Sequence, residues 1–163
     1  MKIIAVYGPS KSGKTTTVVE IVKELRLRGN SVATIKDVHL SNFVFDVAGK
    51  DTWRHWKAGA EVVGLRAPNE SVLMIKRPMK LNELVAHVRS DYLILEGFRS
   101  AALPKILCAT DEADAAREMQ DDVFCVSGLV SAHRATFKGL PVVNALLSAG
   151  DLVDLVERKA AEL

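Results

Sequence analysis

The chain has 163 residues, enough for one domain with a sizeable core, and its 48% hydrophobic and 26% charged residues are ordinary for a globular protein. Its 22 basic and 20 acidic residues leave a formal charge of +2, which excludes a general polyanion binder such as a nucleic-acid coat protein and makes any anion site a local one. No apolar run approaches a membrane span and the apolar stretch at Met1 to Tyr7 is too short for a signal peptide, so a cytoplasmic protein with no membrane partner is expected.

Residues 2–7 form an apolar, β-branched run that reads as a first strand. Gly8-Pro9-Ser10-Lys11-Ser12-Gly13-Lys14-Thr15 follows at once and matches G-x-x-x-x-G-K-[ST] at every fixed position, with a helical pattern behind it. The two glycines let the backbone fold around phosphates with its N–H groups pointing inward, and the helix N-terminus adds partial positive charge. Lys14 is expected to reach the β- and γ-phosphates and Thr15 to coordinate Mg²⁺ through its hydroxyl. Thr16 and Thr17 open the helix, with packing or α-phosphate roles. Lys11 is a second cation in the loop, either on phosphate or simply solvated. Val18, Ile21, Val22 and Leu25 then repeat at helical spacing, and Gly29-Asn30 supplies a left-handed stop before a second strand at 31–36, completing a βαβ unit.

Lys36, Asp37 and His39 leave that strand at its carboxyl end, the edge where the phosphate loop sits. The next polar stretch holds Asp46 and a short helix with Asp51 as N-cap, on which Lys50, Arg54 and Lys57 share one side while Trp53 and Trp56 lie on another. Those cations either receive a second phosphate-bearing partner or make a solvated face over tryptophans packed in the core. His39, Asp46 and His55 offer metal-ligand chemistry, but their spacing matches no short ligand motif.

Strands are expected at 61–66 and 71–77, separated by a turn, and at 92–95, 105–109 and 123–127, with 141–143 as an eighth candidate. Their near-continuous apolar character predicts strands covered on both faces. Leu81, Leu84, Val85 and Val88 behind Asn82 make a further amphipathic helix, 111–121 an acidic and mostly solvated one, and the last helix starts near Asp151. Cys108 and Cys125 are far apart in apolar runs and suit buried thiols in a reducing compartment. The pattern as a whole predicts an α/β protein, a single P-loop nucleotide-binding domain over 1–163 with a mostly parallel sheet and helices on both faces.

A P-loop also needs an acid at the end of a neighbouring strand, to hold Mg²⁺ or its water. Asp91 and Glu96 flank one strand and stand about 16 Å apart. Glu96, at the carboxyl end, is the Mg²⁺-side acid. Lys14 and Glu96 are thus the candidate catalytic residues, and Thr15 and Glu96 the candidate metal ligands.

The P-loop, the Thr34-Ile35-Lys36 strand end, Gly49-Lys50-Asp51 with Arg54-His55 and Ala58-Gly59-Ala60, and Leu95-Glu96-Gly97-Phe98 together resemble the MobB family, almost end to end. The resemblance implies a dimeric GTP-binding adaptor of slow turnover that assists MobA, the guanylyltransferase joining GMP to molybdopterin. It implies contacts of the Lys50 to Ala60 segment, Lys50, Asp51 and Arg54 among them, with that enzyme or the pterin. Two positions depart from the family pattern: Asp37 stands where a histidine is common, and Arg99 where a lysine is. GTP rests on the resemblance, because no N-K-x-D guanine signature is present; Ser127-Gly128 is the candidate base loop. Two other classes use the same loop. A small-molecule kinase would close an arginine-rich lid, which the segment after Arg99 lacks. A metallochaperone GTPase would need a richer cysteine or histidine set than this chain carries.

Overall fold

The computed structural model describes residues 1–40 and 42–163. In chain order its elements are β1 (Lys2–Tyr7), α1 (Lys14–Leu27), β2 (Val32–Lys36), α2 (Asp51–Lys57), β3 (Val62–Arg66), β4 (Ser71–Ile75), α3 (Leu81–Ala86), β5 (Tyr92–Glu96), β6 (Lys105–Cys108), α4 (Glu112–Glu118), β7 (Val123–Ser127), β8 (Thr136–Phe137), β9 (Leu140–Pro141), α5 (Ala149–Lys159) and β10 (Ala161–Glu162). They divide into two compact units, one made of Met1–Val38 with Val88–Leu163, the other of His39–His87.

The larger unit is a sheet of order β2-β5-β1-β6-β7 in which all neighbours run parallel. Because β6 reaches only Ala5 to Tyr7 of β1, the start of β1 is left to β10, which pairs antiparallel with Lys2 and Ile3. Alternation along the strands sends Ile4, Val6, Ile94 and Ile106 to one face, against Val18, Ile21 and Leu25 of α1 and Leu152, Val153 and Val156 of α5. Tyr7, Leu107 and Ala109 point to the other, with Ala115 of α4. Helices therefore cover both faces, and every residue of β5 and β6 is buried. Parallel strands must be joined by crossovers, so all five end at one edge, where Gly8, Asp37, Gly97, Ala109 and Gly128 leave the sheet. The candidate strand at 141–143 appears as β9 followed by a parallel bridge of Val142 to Val126.

The smaller unit differs from expectation. β3 and β4 are an antiparallel pair of their own, and only Val63 of the pair is buried. The reason is the connection: Ala67 N donates to Glu70 O at 2.8 Å, a turn far too short for a crossover, so the strands fold back on each other and are not covered on both faces. Two helix boundaries also move. α3 starts at Leu81, with Glu83 Oε2 accepting from Lys80 N at 2.9 Å, and stops at Ala86, short of the expected Val88. In α2 the cap position is Lys50, and Asp51 is the first helical residue. In the larger unit α4 is shorter than 111–121; Asp111 caps it, and Asp114 and Ala115 are buried.

Candidate functional site at the carboxyl edge of the sheet

Between β1 and α1 the chain turns so tightly that a Cβ on Gly8 would lie 1.9 Å from the carbonyl oxygen of Cys108. No side chain fits, which is why glycine closes β1. From the other side Gly128, at the end of β7, comes so near that its own Cβ would be 2.2 Å from Ser12 O, and Leu129 N donates to that oxygen at 3.3 Å. The loop is thus gripped between the ends of β6 and β7. Pro9 is half-buried, Ser10 and Lys11 form the exposed tip, and Lys11 has a φ of 61°. Such a left-handed bend in a non-glycine residue turns successive N–H groups toward one point. Ser12 is fully buried, and its hydroxyl finds no hydrogen-bond partner among the described residues. A buried unmet hydroxyl is costly unless something else supplies its partner.

Gly13 stands at the cap position of α1 with a φ of 96°. Lys14, next in line, turns back and donates from Nζ to Pro9 O at 2.6 Å, so its ammonium lies over the loop. Thr15 Oγ1 donates to Glu96 Oε1 at 2.9 Å, and Lys36 Nζ donates to the same oxygen at 2.8 Å. Three expectations from separate stretches of sequence therefore meet at one carboxylate. The parallel register makes Lys36 the direct partner of Glu96, while Val6 flanks Glu96 from β1. A hydroxyl and a carboxylate at this distance are hard oxygen donors of the kind Mg²⁺ takes, so the residues fit that ion. Asp91 lies at the other end of β5, where its carboxylate takes Ser31 N and Oγ at 2.7 and 2.6 Å.

Thr16 and Thr17 separate. Thr17 is buried, with its Oγ1 3.4 Å from both Ser127 Oγ and Cys108 Sγ, a packing role. Burial pushes the Cys108 thiol up to about 12, so it stays protonated. Thr16 is exposed and, with Gly13, Gly128, Leu129, Asn144 and Leu146, lines a cavity of about 290 Å³ beside the head of α1. Asn144 was not singled out in the sequence. The signal available was the strand candidate at 141–143: run parallel beside β7, it delivers Asn144 to the edge of Gly128, and Val143 N donates to Val126 O at 2.9 Å.

In the smaller unit, Lys50, Asp51 and Arg54 are all exposed, with Arg54 Nη1 3.8 Å from Asp51 Oδ1. α2 buries none of its residues. The expected split of cations and tryptophans is broken by Lys57, whose ammonium lies 5.5 Å from the Trp53 ring centre and 4.7 Å from that of Trp56. Asp46 accepts from Thr52 Oγ1 at 2.8 Å and pairs with Lys76 at 3.2 Å. Burial alone would raise its pKa; the bonds from Thr52 and Lys76 outweigh that and hold the carboxyl below its usual range. Among the described residues no group of three histidine, cysteine or acidic side chains comes together as a metal cluster.

A family model described as "Molybdopterin guanine dinucleotide synthesis protein B" matches residues 3–130. The Bacillus subtilis "Probable molybdopterin-guanine dinucleotide biosynthesis adapter protein" is 28% identical over 147 residues, 88% of this chain and 85% of that protein. The Haemophilus influenzae "Molybdopterin-guanine dinucleotide biosynthesis adapter protein" is 33% identical over 115 residues, 68% of this chain and 64% of that one. The crystal structure of Bacillus subtilis MobB superposes with a TM-score of 0.80 over the whole of both chains, at 26% identity.

Proposed function

The chain belongs to the MobB family of molybdopterin guanine dinucleotide synthesis proteins, and from that premise we propose that it is a GTP-binding adaptor of slow turnover that assists a MobA-type guanylyltransferase. The observation that carries the nucleotide reading is the link from Thr15 to Glu96, which ties the P-loop hydroxyl to the acid of β5. When bound, Mg²⁺ would neutralise charge on the β- and γ-phosphates. The protein's own part is positioning. Lys14 exchanges the Pro9 carbonyl for phosphate oxygens, which are stronger acceptors. The N–H groups from Ser10 to Thr16 surround the phosphates, the buried Ser12 hydroxyl gains an acceptor, and exposed Lys11 closes from the tip. The cavity beside Gly13 and Thr16 takes the nucleoside, with the Ser127-Gly128 turn as its base loop.

The adaptor role follows the names of the relatives. In the same reading, exposed Lys50, Asp51 and Arg54 meet the guanylyltransferase or the phosphate of molybdopterin. Homodimerisation is supported by the β3–β4 ribbon: Val62, Leu65 and Leu73 are 52%, 43% and 64% exposed, and a lone two-stranded ribbon is marginal in water. Calorimetric titration with GTP and ATP in Mg²⁺, with and without the guanylyltransferase, tests the whole reading when phosphate release is followed alongside. GTP preference, slow release and a response to the enzyme are expected. Tight ATP binding with no response to that enzyme would overturn it in favour of a small-molecule kinase.

A further inference from the structure

The Glu96 carboxylate, 9% exposed, carries one negative charge, and a single one of its oxygens serves both Thr15 and Lys36. A divalent cation bound to Thr15 Oγ1 and to Glu96, directly or through a water, would draw on the same single carboxylate charge as an ammonium already in contact with it. Two cations beside one carboxylate repel each other, so the ion and the ammonium compete for Glu96. Lys36 is able to leave, since its side chain is 58% exposed on a flexible four-carbon stem. The Lys14 ammonium is hydrogen-bonded to Pro9 O.

Resting on the nucleotide reading above, we propose that Lys36 is a positioning residue that competes with the divalent cation for Glu96 and yields the carboxylate when a third phosphate offers its ammonium a new acceptor. The ammonium leaves β2 at the same edge as the P-loop, on the Thr15 side of Glu96. With a diphosphate that acceptor is missing, Lys36 keeps Glu96, and the ion is held weakly. With a triphosphate, Lys36 moves to the new oxygens and the carboxylate is released to the ion. Lys36 thereby makes ion uptake and discrimination between tri- and diphosphate one event.

The test is calorimetric titration with Mg²⁺ at fixed GDP and at a fixed non-hydrolysable GTP analogue, in wild type, Lys36→Met and Lys36→Arg, with melting curves as the check on folding. In Lys36→Met the Mg²⁺ affinity of the GDP complex rises about tenfold and the preference for triphosphate over diphosphate falls about tenfold, a usual size for coupling between two sites. Lys36→Arg keeps the wild-type preference. If wild type takes up neither nucleotide with Mg²⁺, the nucleotide reading falls and this proposal with it. If wild type binds both, and Lys36→Met leaves the Mg²⁺ demand of the GDP complex unchanged or raises it, the role of Lys36 alone is overturned.

Discussion

The two units of this chain use apolar residues in opposite ways. In the larger one β1, β5 and β6 bury nearly everything they carry, and the polar groups at their ends are held by neighbouring main chain: Gly8 under Cys108 O, Gly128 against Ser12 O. In the smaller one Leu40, Phe43, Val44, Phe45 and Val47 are exposed, α2 buries nothing, and the ribbon covers one residue. A sheet covered on both faces holds its strand ends in place, because β5, β1 and β6 each have a neighbour on either side and close-packed helices above and below. A ribbon with exposed apolar groups has surface left to give to another molecule. In the function proposed above, the nucleotide chemistry falls to the first unit and the meeting of partners to the second.

That contrast is open to direct attack. Ile94→Ala, in the fully buried interior strand β5, is expected to cost about 2–5 kcal/mol, read by urea denaturation. Lys14→Ala should remove Mg²⁺-GTP binding, a loss on the order of a hundredfold or more, while the melting temperature stays put; unchanged affinity would sink the site assignment. Leu73→Ala on the ribbon should change the stability of the isolated chain by no more than about 0.5 kcal/mol, so a larger loss that grows with protein concentration would mean the ribbon is covered by a second copy. The smallest effect concerns two carboxylates, one from each unit. Thr110 hydrogen-bonds Asp114, and this, with Arg117 nearby, keeps its pKa below the ordinary value; Asp46 is lowered as well. A depressed folded-state pKa means stability that is full above the unfolded value and lost as pH falls through the folded one. Melting temperature should thus drop as pH goes from about 5 toward 2, and Asp46→Asn and Asp114→Asn should each flatten part of that drop. A slope identical to wild type in both variants would show that neither pair stabilises the fold.

The P-loop, its strand and its helix were legible because they are contiguous: apolar run, glycine-bracketed loop and 3.6-residue period follow one another in 27 residues, Met1 to Leu27. Glu96 was legible at one remove, since strand polarity alone assigns it to the edge where the loop of residues 8–15 lies and Asp91 to the other. Strand order is decided by packing, however, and with it come the facts no local pattern contains. Placing β5 between β1 and β2 is what brings Thr15 and Lys36 to one oxygen of Glu96. Running residues 142–143 along β7 is what brings Asn144 to the cavity beside Thr16. The apolar runs of β3 and β4 read like buried strands, yet the turn from Ala67 to Glu70 is too short to carry them into a parallel sheet. Period and composition determine what each segment can become. Which segments become neighbours depends on connection length and on which faces remain to be covered once the core has closed.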